Sequence, residues 1–265
     1  MTETDALIAE TARRLREAET SLSPIPPIRD AFDEPDVATA YAIQAANVQQ
    51  GRAAGRRVVG HKIGLTNKQV QAQFGVHQPD FGVLWADRAY ADREPIPVHH
   101  VLQPRVEAEV ALILDSDLEH EYPGPAELIR AVGFATAAIE LVGSRIENWR
   151  ISIFDTVADN ASGGGFVLGG RAVPLAGLDL TAVAMNLSDR SGTTISKGEG
   201  RNCLGNPLTA AVWLARTVAA LGEPLRAGEV ILTGSLGPIV TAVPGEEYTA
   251  TISSLGEITA VLENS

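Results

Sequence analysis

The sequence predicts an α+β fold in which an N-terminal helical region, residues 1–56, packs on a β-rich core, residues 57–265. Helical periodicity dominates the first region, whereas the second contains many short apolar segments joined by glycine-containing turns. One further long helix is indicated, at 206–222. This combination is typical of a mixed β core with a few packed helices.

Composition excludes several classes of protein. Apolar residues make up 45% of the 265, which is too many for a disordered chain and enough for a substantial core. The 21 basic and 33 acidic residues give a net charge of −12, which argues against a nucleic-acid partner. The single cysteine, Cys203, can form neither an internal disulfide nor a cysteine-rich zinc site. No apolar run approaches the ~18–20 residues that span a bilayer, and no signal-peptide pattern is present, so we expect a cytoplasmic protein without a membrane partner.

Two helices are predicted in the N-terminal region. Residues 3–20 place apolar side chains along one helical stripe, and residues 36–54 begin at Asp36, a favourable N-cap. Between them, the segment SLSPIPPIRD contains three prolines, which predicts an extended connection.

The core begins with strand patterns in RRVVGHKIGLT and QPDFGVLWAD, and its clearest strand is PRVEAEVALILDSDL. The apolar run GFATAAIELVG is ambiguous between strand and helix, WRISIFDTVADNAS indicates a short helix, and GGGFVLGG leads into a strand. In the last third, two strands flank residues 190–192, and a helix begins at Asn206 with Pro207 in its first position. Three β segments complete the chain.

Two glutamates stand out in the clearest strand, because Glu107 and Glu109 are two residues apart and therefore share one face. Their bases would lie about 7 Å apart by strand rise. Neighbouring buried carboxylates repel unless a cation lies between them, and a hard divalent cation such as Mg²⁺ or Mn²⁺ is the simplest compensation. The plain alternative is a solvated strand end.

Glu140 strengthens the metal hypothesis. It lies in ATAAIELVG, which carries no other charge and where an unpaired carboxylate would be costly to bury. A third carboxylate would complete a facial ligand set with half of an octahedron free. The alternative is a buried salt bridge, for which Arg145 is one candidate partner.

Further polar residues accompany these glutamates. Lys62 lies in an apolar strand and could orient a carboxylate or transfer protons, although its ammonium could also extend into water. Asp80 follows a proline and is either an acid presented at a site or an ordinary turn residue. Asp159, Asn160 and Ser162 precede three glycines, which permit close approach of the backbone to a ligand or simply end a helix.

Together these segments resemble the 2-keto-4-pentenoate hydratase family of the fumarylacetoacetate hydrolase superfamily. The resemblance extends from about residue 36 to the C-terminus. It is carried by GHKIGLT, GVHQPDFGVLWAD, LQPRVEAEVALIL, AIELVGSRI, DTVADNASGG and LTAAVWLARTVAALGEPLRAGEVILTGSLGP.

The resemblance implies a lyase that depends on Mg²⁺ or Mn²⁺ and has a mixed β-roll core. Its metal-binding carboxylates fall on Glu107, Glu109 and Glu140. Its catalytic residues fall on Lys62, Asp80 and Ser162, and its substrate-binding residues on Leu65, Asn160 and Ser235. Many relatives have Leu-Gly-His-Pro where this chain has Asn206 before the proline, so any role of a histidine there is absent.

The implied substrate is 2-hydroxypenta-2,4-dienoate, the enol of a 2-oxo acid formed in aromatic meta-cleavage catabolism. Protonation at C5 ketonises the dienol, water adds at C4, and protonation at C3 gives 4-hydroxy-2-oxopentanoate. The alternatives are a 4-oxalocrotonate decarboxylase, a 2-oxohept-3-ene-1,7-dioate hydratase and a non-catalytic metal-binding assembly protein. The resemblance also implies a homo-oligomer, either a pentamer or a decamer.

Overall fold

The computed structural model describes residues 2–68, 71–72 and 75–264. Its principal helices in these ranges are α1 (Glu3–Ser21), α2 (Val37–Ala53), α3 (Pro125–Ala131), α4 (Ile153–Ala158) and α5 (Pro207–Ala220). None of the helices in these ranges combines the length and the apolar character of a membrane-spanning segment.

The strands form two sheets. The first has eight strands in the order β2 (Asp80–Trp85), β1 (Val58–Gly64), β10 (Val230–Ser235), β5 (Arg105–Leu114), β6 (Val132–Val142), β7 (Gly163–Leu168) and β3 (Ala89–Ala91), with β11 (Val240–Thr241) pairing the beginning of β5. The second has the order β4 (Pro95–Ile96), β13 (Gly256–Leu262), β12 (Glu247–Ile252), β8 (Ala184–Asp189) and β9 (Thr194–Glu199). Parallel pairs occur in both sheets, so the core is mixed as the sequence predicts.

The two faces of β5 have different surroundings. Its alternate apolar residues belong to the main core, which also contains residues of the second sheet and of α5; they are Val106, Ala108, Val110, Leu112 and Leu114. The opposite face carries Glu107 and Glu109 and then Ala111, which packs in a smaller apolar cluster. The period of two along this strand therefore separates the packed core from the polar residues.

The N-terminal helices agree with the prediction. The Asp36 side chain accepts a hydrogen bond from the Thr39 backbone N–H at 2.7 Å, which caps α2. Apolar residues of α1, α2 and α4 form a cluster of their own. The predicted division between the helical region, residues 1–56, and the core, residues 57–265, stays a prediction.

The proline-rich connection is only partly extended, which corrects the sequence prediction. Residues Ile28–Ala31 form a 3₁₀ turn. The backbone N–H groups of Ile28 and Arg29 donate to Asp155 Oδ1 at 2.9 and 3.1 Å, so a carboxylate of α4 fixes the turn.

Pairing resolves the ambiguous run GFATAAIELVG. It forms β6, because β5 and β7 both bind it through antiparallel ladders. Helix α3, which immediately precedes β6, was not among the predicted elements. The predicted cap of α5 is confirmed, since Asn206 Oδ1 accepts from the Leu208 N–H at 2.9 Å.

Candidate metal centre and active site

Three glutamate side chains converge on one face of the first sheet. Glu107 on β5 lies directly opposite Glu140 on β6, and Glu109 follows two residues along β5. One carboxylate oxygen of each residue lies within 4.8 Å of the other two. Glu109 and Glu140 have no exposed surface, whereas Glu107 is partly exposed. The alternative of a solvated strand end is therefore wrong.

Several oxygens of this triad, Glu107, Glu109 and Glu140, have unused acceptor capacity. Glu109 Oε1 and both oxygens of Glu140 are buried without a hydrogen-bond partner among the described residues. Buried acceptors without partners are destabilising. Because all the ligand atoms are carboxylate oxygens, the donor set fits a hard divalent cation such as Mg²⁺, Mn²⁺ or Ca²⁺.

Burial and mutual repulsion disfavour ionisation of the triad. Burial, followed by the charge of Glu140, raises the pKa of Glu107 to about 7. The same two causes raise the pKa of Glu109 well above its usual range. A cation bound between the carboxylates would oppose both effects.

Lys62 on β1 is the cation closest to the triad. Its Nζ lies 3.2 Å from Glu140 Oε1 and donates a hydrogen bond to the Ala161 carbonyl at 2.8 Å. Burial acts to lower the pKa of Lys62, but Glu140, Asp80 and the other carboxylates outweigh it and raise this pKa. The side chain is buried, so the alternative of an ammonium extended into water is wrong.

Arg145 does not pair with Glu140, and the buried ion pair that Glu140 forms is with Lys62. The Arg145 guanidinium instead binds the Asp159 carboxylate and, at 2.6 Å, the Asp159 carbonyl. Asp159 also accepts from the Arg145 backbone N–H at 2.9 Å. This ion pair fixes the chain just before the turn that contacts Lys62.

Asp80 opens β2 and faces the end of β1. Its carboxylate is buried, and Oδ1 has no hydrogen-bond partner among the described residues. Burial raises the pKa of Asp80, although the Lys62 charge opposes the change. A Cβ on Gly64 would lie 2.2 Å from Asp80 Oδ1 and 3.4 Å from Lys62 Nζ. Gly64 therefore leaves the space in which the acid and the ammonium approach each other.

Residues Asn160–Ser162 form a strained turn. All three have positive φ angles, of 55°, 50° and 57°, which are unfavourable for residues other than glycine. The Asn160 amide holds the turn by accepting from Val83 N–H at 2.8 Å and donating to Val83 C=O at 3.0 Å. The conformation directs the Ala161 carbonyl to Lys62, a contact that residue type alone does not reveal.

The other predicted site residues, Ser162, Ser235 and Leu65, each form a hydrogen bond with a neighbouring residue. The Ser162 hydroxyl is buried and hydrogen-bonded to Thr156 Oγ1 at 2.8 Å. Ser235, at the end of β10, lies opposite Glu109 and donates to the Gly237 carbonyl at 2.5 Å. Leu65 follows β1 with φ 55°, and its carbonyl accepts from Gln71 Nε2 at 2.7 Å.

Sequence reasoning missed the backbone donor to the triad. The Gly234 N–H donates to Glu109 Oε2 at 2.8 Å. Gly234 has φ 111°, and a Cβ there would lie 2.3 Å from Thr66 Oγ1, so only glycine fits. Its place in the Thr-Gly-Ser sequence that ends an apolar strand is the one sequence signal that could have indicated it.

Comparison with known protein families finds a match that covers most of the chain. Residues 37–263 match the fumarylacetoacetate (FAA) hydrolase C-terminal family. The chain belongs to the fumarylacetoacetate hydrolase family. Two curated members are 2-keto-4-pentenoate hydratases: the one from Paraburkholderia phymatum is 52% identical and the one from Burkholderia vietnamiensis 53% identical. Each match covers 97% of both chains.

Solved structures of the family share the fold. A 4-oxalocrotonate decarboxylase from Pseudomonas putida G7, complexed with magnesium and adipate, superimposes with a TM-score of 0.93 and 29% identity over 99% of both chains. The predicted α+β fold and the resemblance to this family are thus confirmed.

Proposed function

We propose that the protein is a hydro-lyase that adds water to 2-hydroxypenta-2,4-dienoate and forms 4-hydroxy-2-oxopentanoate. The observation that carries the proposal is the convergence of three carboxylates beside a buried lysine. Relatives that share about half of their residues with this chain over nearly its full length are 2-keto-4-pentenoate hydratases.

A divalent cation is proposed to bind Glu107, Glu109 and Glu140. The orphaned carboxylate oxygens support this assignment, as does the magnesium in the decarboxylase of Pseudomonas putida G7. When bound, such an ion supplies Lewis-acid polarisation of the carboxylate and C2 oxygen of a 2-oxo acid. Mg²⁺ and Mn²⁺ remain the two ions we propose, because both take oxygen ligands and leave coordination positions free.

We assign proton transfer to Asp80 and charge placement to Lys62. The dienol loses its C2 hydroxyl proton and gains one at C5; water then adds as hydroxyl at C4 and proton at C3. Asp80 is suited to carry these protons, because its Oδ1 has no competing donor among the described residues. Lys62 is fixed by the Ala161 carbonyl and Glu140, and it holds a positive charge beside Asp80, the group that transfers these protons.

The other predicted residues are proposed to act around this pair. Ser162 can position substrate or water while its oxygen accepts from Thr156, because either hydroxyl can donate in their shared hydrogen bond. The Asn160 amide is already used on Val83, so we propose that it shapes the site instead of binding substrate directly. Leu65 and Ser235 remain proposed substrate contacts, supported by their places beside Gly64 and opposite Glu109.

A 4-oxalocrotonate decarboxylase is the second candidate, favoured by the close superposition on the Pseudomonas putida G7 enzyme. The lower identity to that enzyme, 29% against 52–53%, favours the hydratase.

The deciding experiment gives the purified protein each substrate separately, with Mg²⁺ or Mn²⁺. Loss of 2-hydroxypenta-2,4-dienoate absorbance with formation of 4-hydroxy-2-oxopentanoate supports the hydratase. Carbon dioxide release from 2-oxohex-3-enedioate, with no hydration of the dienoate, would instead assign the decarboxylase. A protein that binds Mg²⁺ but converts neither substrate would favour the non-catalytic alternative.

The assembly state is a further proposal. The family resemblance suggests a pentamer or a decamer, and light scattering on the purified protein distinguishes these from a monomer. A cytoplasmic location likewise stays a prediction, which cell fractionation tests.

A further inference from the structure

The face of β5 that carries the triad also carries an arginine. Arg105, Glu107 and Glu109 occupy alternate positions of the strand, so their side chains project to the same side. Arg105 lies opposite Val142 on β6 and Thr241 on β11. It stands about 7 Å along the strand from Glu107, within the reach of an extended arginine side chain.

A tryptophan holds this guanidinium in place. The Arg105 Cζ lies 4.0 Å from the centre of the Trp149 ring, in a cation–π contact. Trp149 has φ 55° and donates its indole N–H to the Gln103 carbonyl at 3.1 Å. The Gln103 amide donates in turn to the carbonyls of Ser144 and Ile146, at 2.8 and 2.7 Å. A strained, hydrogen-bonded turn therefore fixes the surface on which Arg105 lies.

The hydrogen-bonding groups of Arg105 are not used within the described part of the chain. Its guanidinium has neither an ion pair nor a hydrogen bond there, although the residue is only partly exposed. The neighbouring cations differ: Lys62 is paired with Glu140, and Arg145 with Asp159. Burial lowers the pKa of Arg105 and the nearby Glu107 charge opposes this, which agrees with a guanidinium close to the triad.

The net charge of the centre is negative, so a further cation would favour the binding of an anionic substrate. If all are ionised, the triad, Asp80, Lys62 and one divalent ion together retain a single net negative charge. The protein as a whole carries −12. A dienoate anion would meet repulsion at such a site unless a local positive group received it.

We infer that Arg105, stacked on Trp149, receives the C1 carboxylate of the 2-oxo acid substrate as it enters the centre. A guanidinium suits this task, because its paired N–H groups match the two oxygens of a carboxylate. The inference rests on the proposed function, since it assumes an anionic 2-hydroxydienoate. It adds a positioning residue that neither the metal triad nor the Lys62–Asp80 pair supplies.

The test compares Arg105→Gln, Arg105→Lys and Trp149→Leu with the matched control Arg130→Gln. Arg130 is exposed on α3 and has no ion pair among the described residues. It lies just before the first residue of β6, whereas Glu140 lies near the last residue of that strand. Steady-state kinetics should give an increase in KM of about 10- to 100-fold for Arg105→Gln with little change in kcat, because binding is lost more than chemistry. Arg105→Lys should recover part of this loss, Trp149→Leu should raise KM several-fold, and the control should resemble wild type.

Calorimetric binding of pyruvate to the Mg²⁺-loaded protein separates this inference from the proposed function. Arg105→Gln should weaken pyruvate binding by about the same factor as KM, while its Mg²⁺ affinity should not fall. Unchanged pyruvate affinity in Arg105→Gln overturns the inference, whether or not the wild type hydrates the dienoate. An effect confined to dicarboxylate substrates overturns it as well, because Arg105 would then serve a distal carboxylate. Failure of the wild type to convert dienoate, with pyruvate binding still weakened, contradicts the hydratase function alone.

Discussion

Replacing Glu109 with glutamine should make the metal-free protein more stable and remove its response to metal. Glutamine keeps the size of the side chain and an oxygen that can accept the Gly234 N–H, now 2.8 Å from Glu109 Oε2. Its amide N–H groups can also donate to Glu140 Oε2, which has no hydrogen-bond partner among the described residues, whereas Oε1 is ion-paired with Lys62. The change therefore removes a charge without opening a cavity.

The expected gain follows from the geometry of the triad. Its oxygens lie within 4.8 Å of one another, so each ionised pair repels by about 3.5 kcal/mol or more at an effective dielectric constant of about 20. The substitution removes two such repulsions but also an attraction to Lys62, and proton uptake by the wild type limits the relief. We expect a net gain of about 2 kcal/mol near pH 8, or a rise in Tm of about 4–8 °C.

Thermal unfolding in EDTA and then in excess Mg²⁺ measures both effects. Mg²⁺ should raise the Tm of the wild type by mass action and leave Glu109→Gln nearly unchanged. Glu121→Gln is the matched control, since Glu121 is exposed and has no ion pair among the described residues. A lower Tm for Glu109→Gln than for wild type in EDTA would refute the electrostatic reasoning. An undiminished Mg²⁺ shift would refute its role as a ligand.

Three other perturbations test separate parts of the structure. Gly64→Ala places a methyl group 2.2 Å from Asp80 Oδ1, so kcat should fall about 100-fold while the fold persists; activity near wild type, with an unchanged circular dichroism spectrum, would contradict this. Asn160→Ala removes two hydrogen bonds to Val83 and should lower the free energy of unfolding by about 2 kcal/mol in urea titrations, and a loss too small to measure would show that the turn holds without them. Burial lowers the pKa of His61 to about 4. The unfolded chain, with a histidine pKa of about 6.5, therefore takes up a proton that the folded protein excludes, and stability should fall by about 2 kcal/mol from pH 8 to pH 5. His61→Gln should reduce this loss, and an equal loss in the variant would exclude His61 as its source.

The triad was predictable because each of its signals is local. Two glutamates at a spacing of two must share a strand face, and a single carboxylate in an apolar run must find a partner. The pairing of Glu107 with Glu140 across two strands then needs only the correct register. The same reasoning identified Lys62 and Asp80 as candidates, although it left their burial open.

Contacts made by backbone groups, and pairs of residues far apart in the chain, could not be predicted from the sequence. The Ala161 carbonyl binds Lys62 through a turn with three consecutive positive φ angles, and alanine carries no signal for that conformation. Asp155 fixes the turn at Ile28 across more than a hundred residues, which converts part of a proline-rich connection into a 3₁₀ turn. Arg145 had two carboxylates available, and only the three-dimensional structure shows that it binds Asp159.

The most direct test of the metal-dependent hydratase is the conversion of 2-hydroxypenta-2,4-dienoate by protein stripped with EDTA and then resupplied with Mg²⁺ or Mn²⁺. The centre described here predicts no conversion after stripping, recovery of 4-hydroxy-2-oxopentanoate formation with either ion, and no recovery in Glu107→Gln or Glu140→Gln. Undiminished conversion by the stripped wild-type protein, or by both glutamine variants, would contradict it.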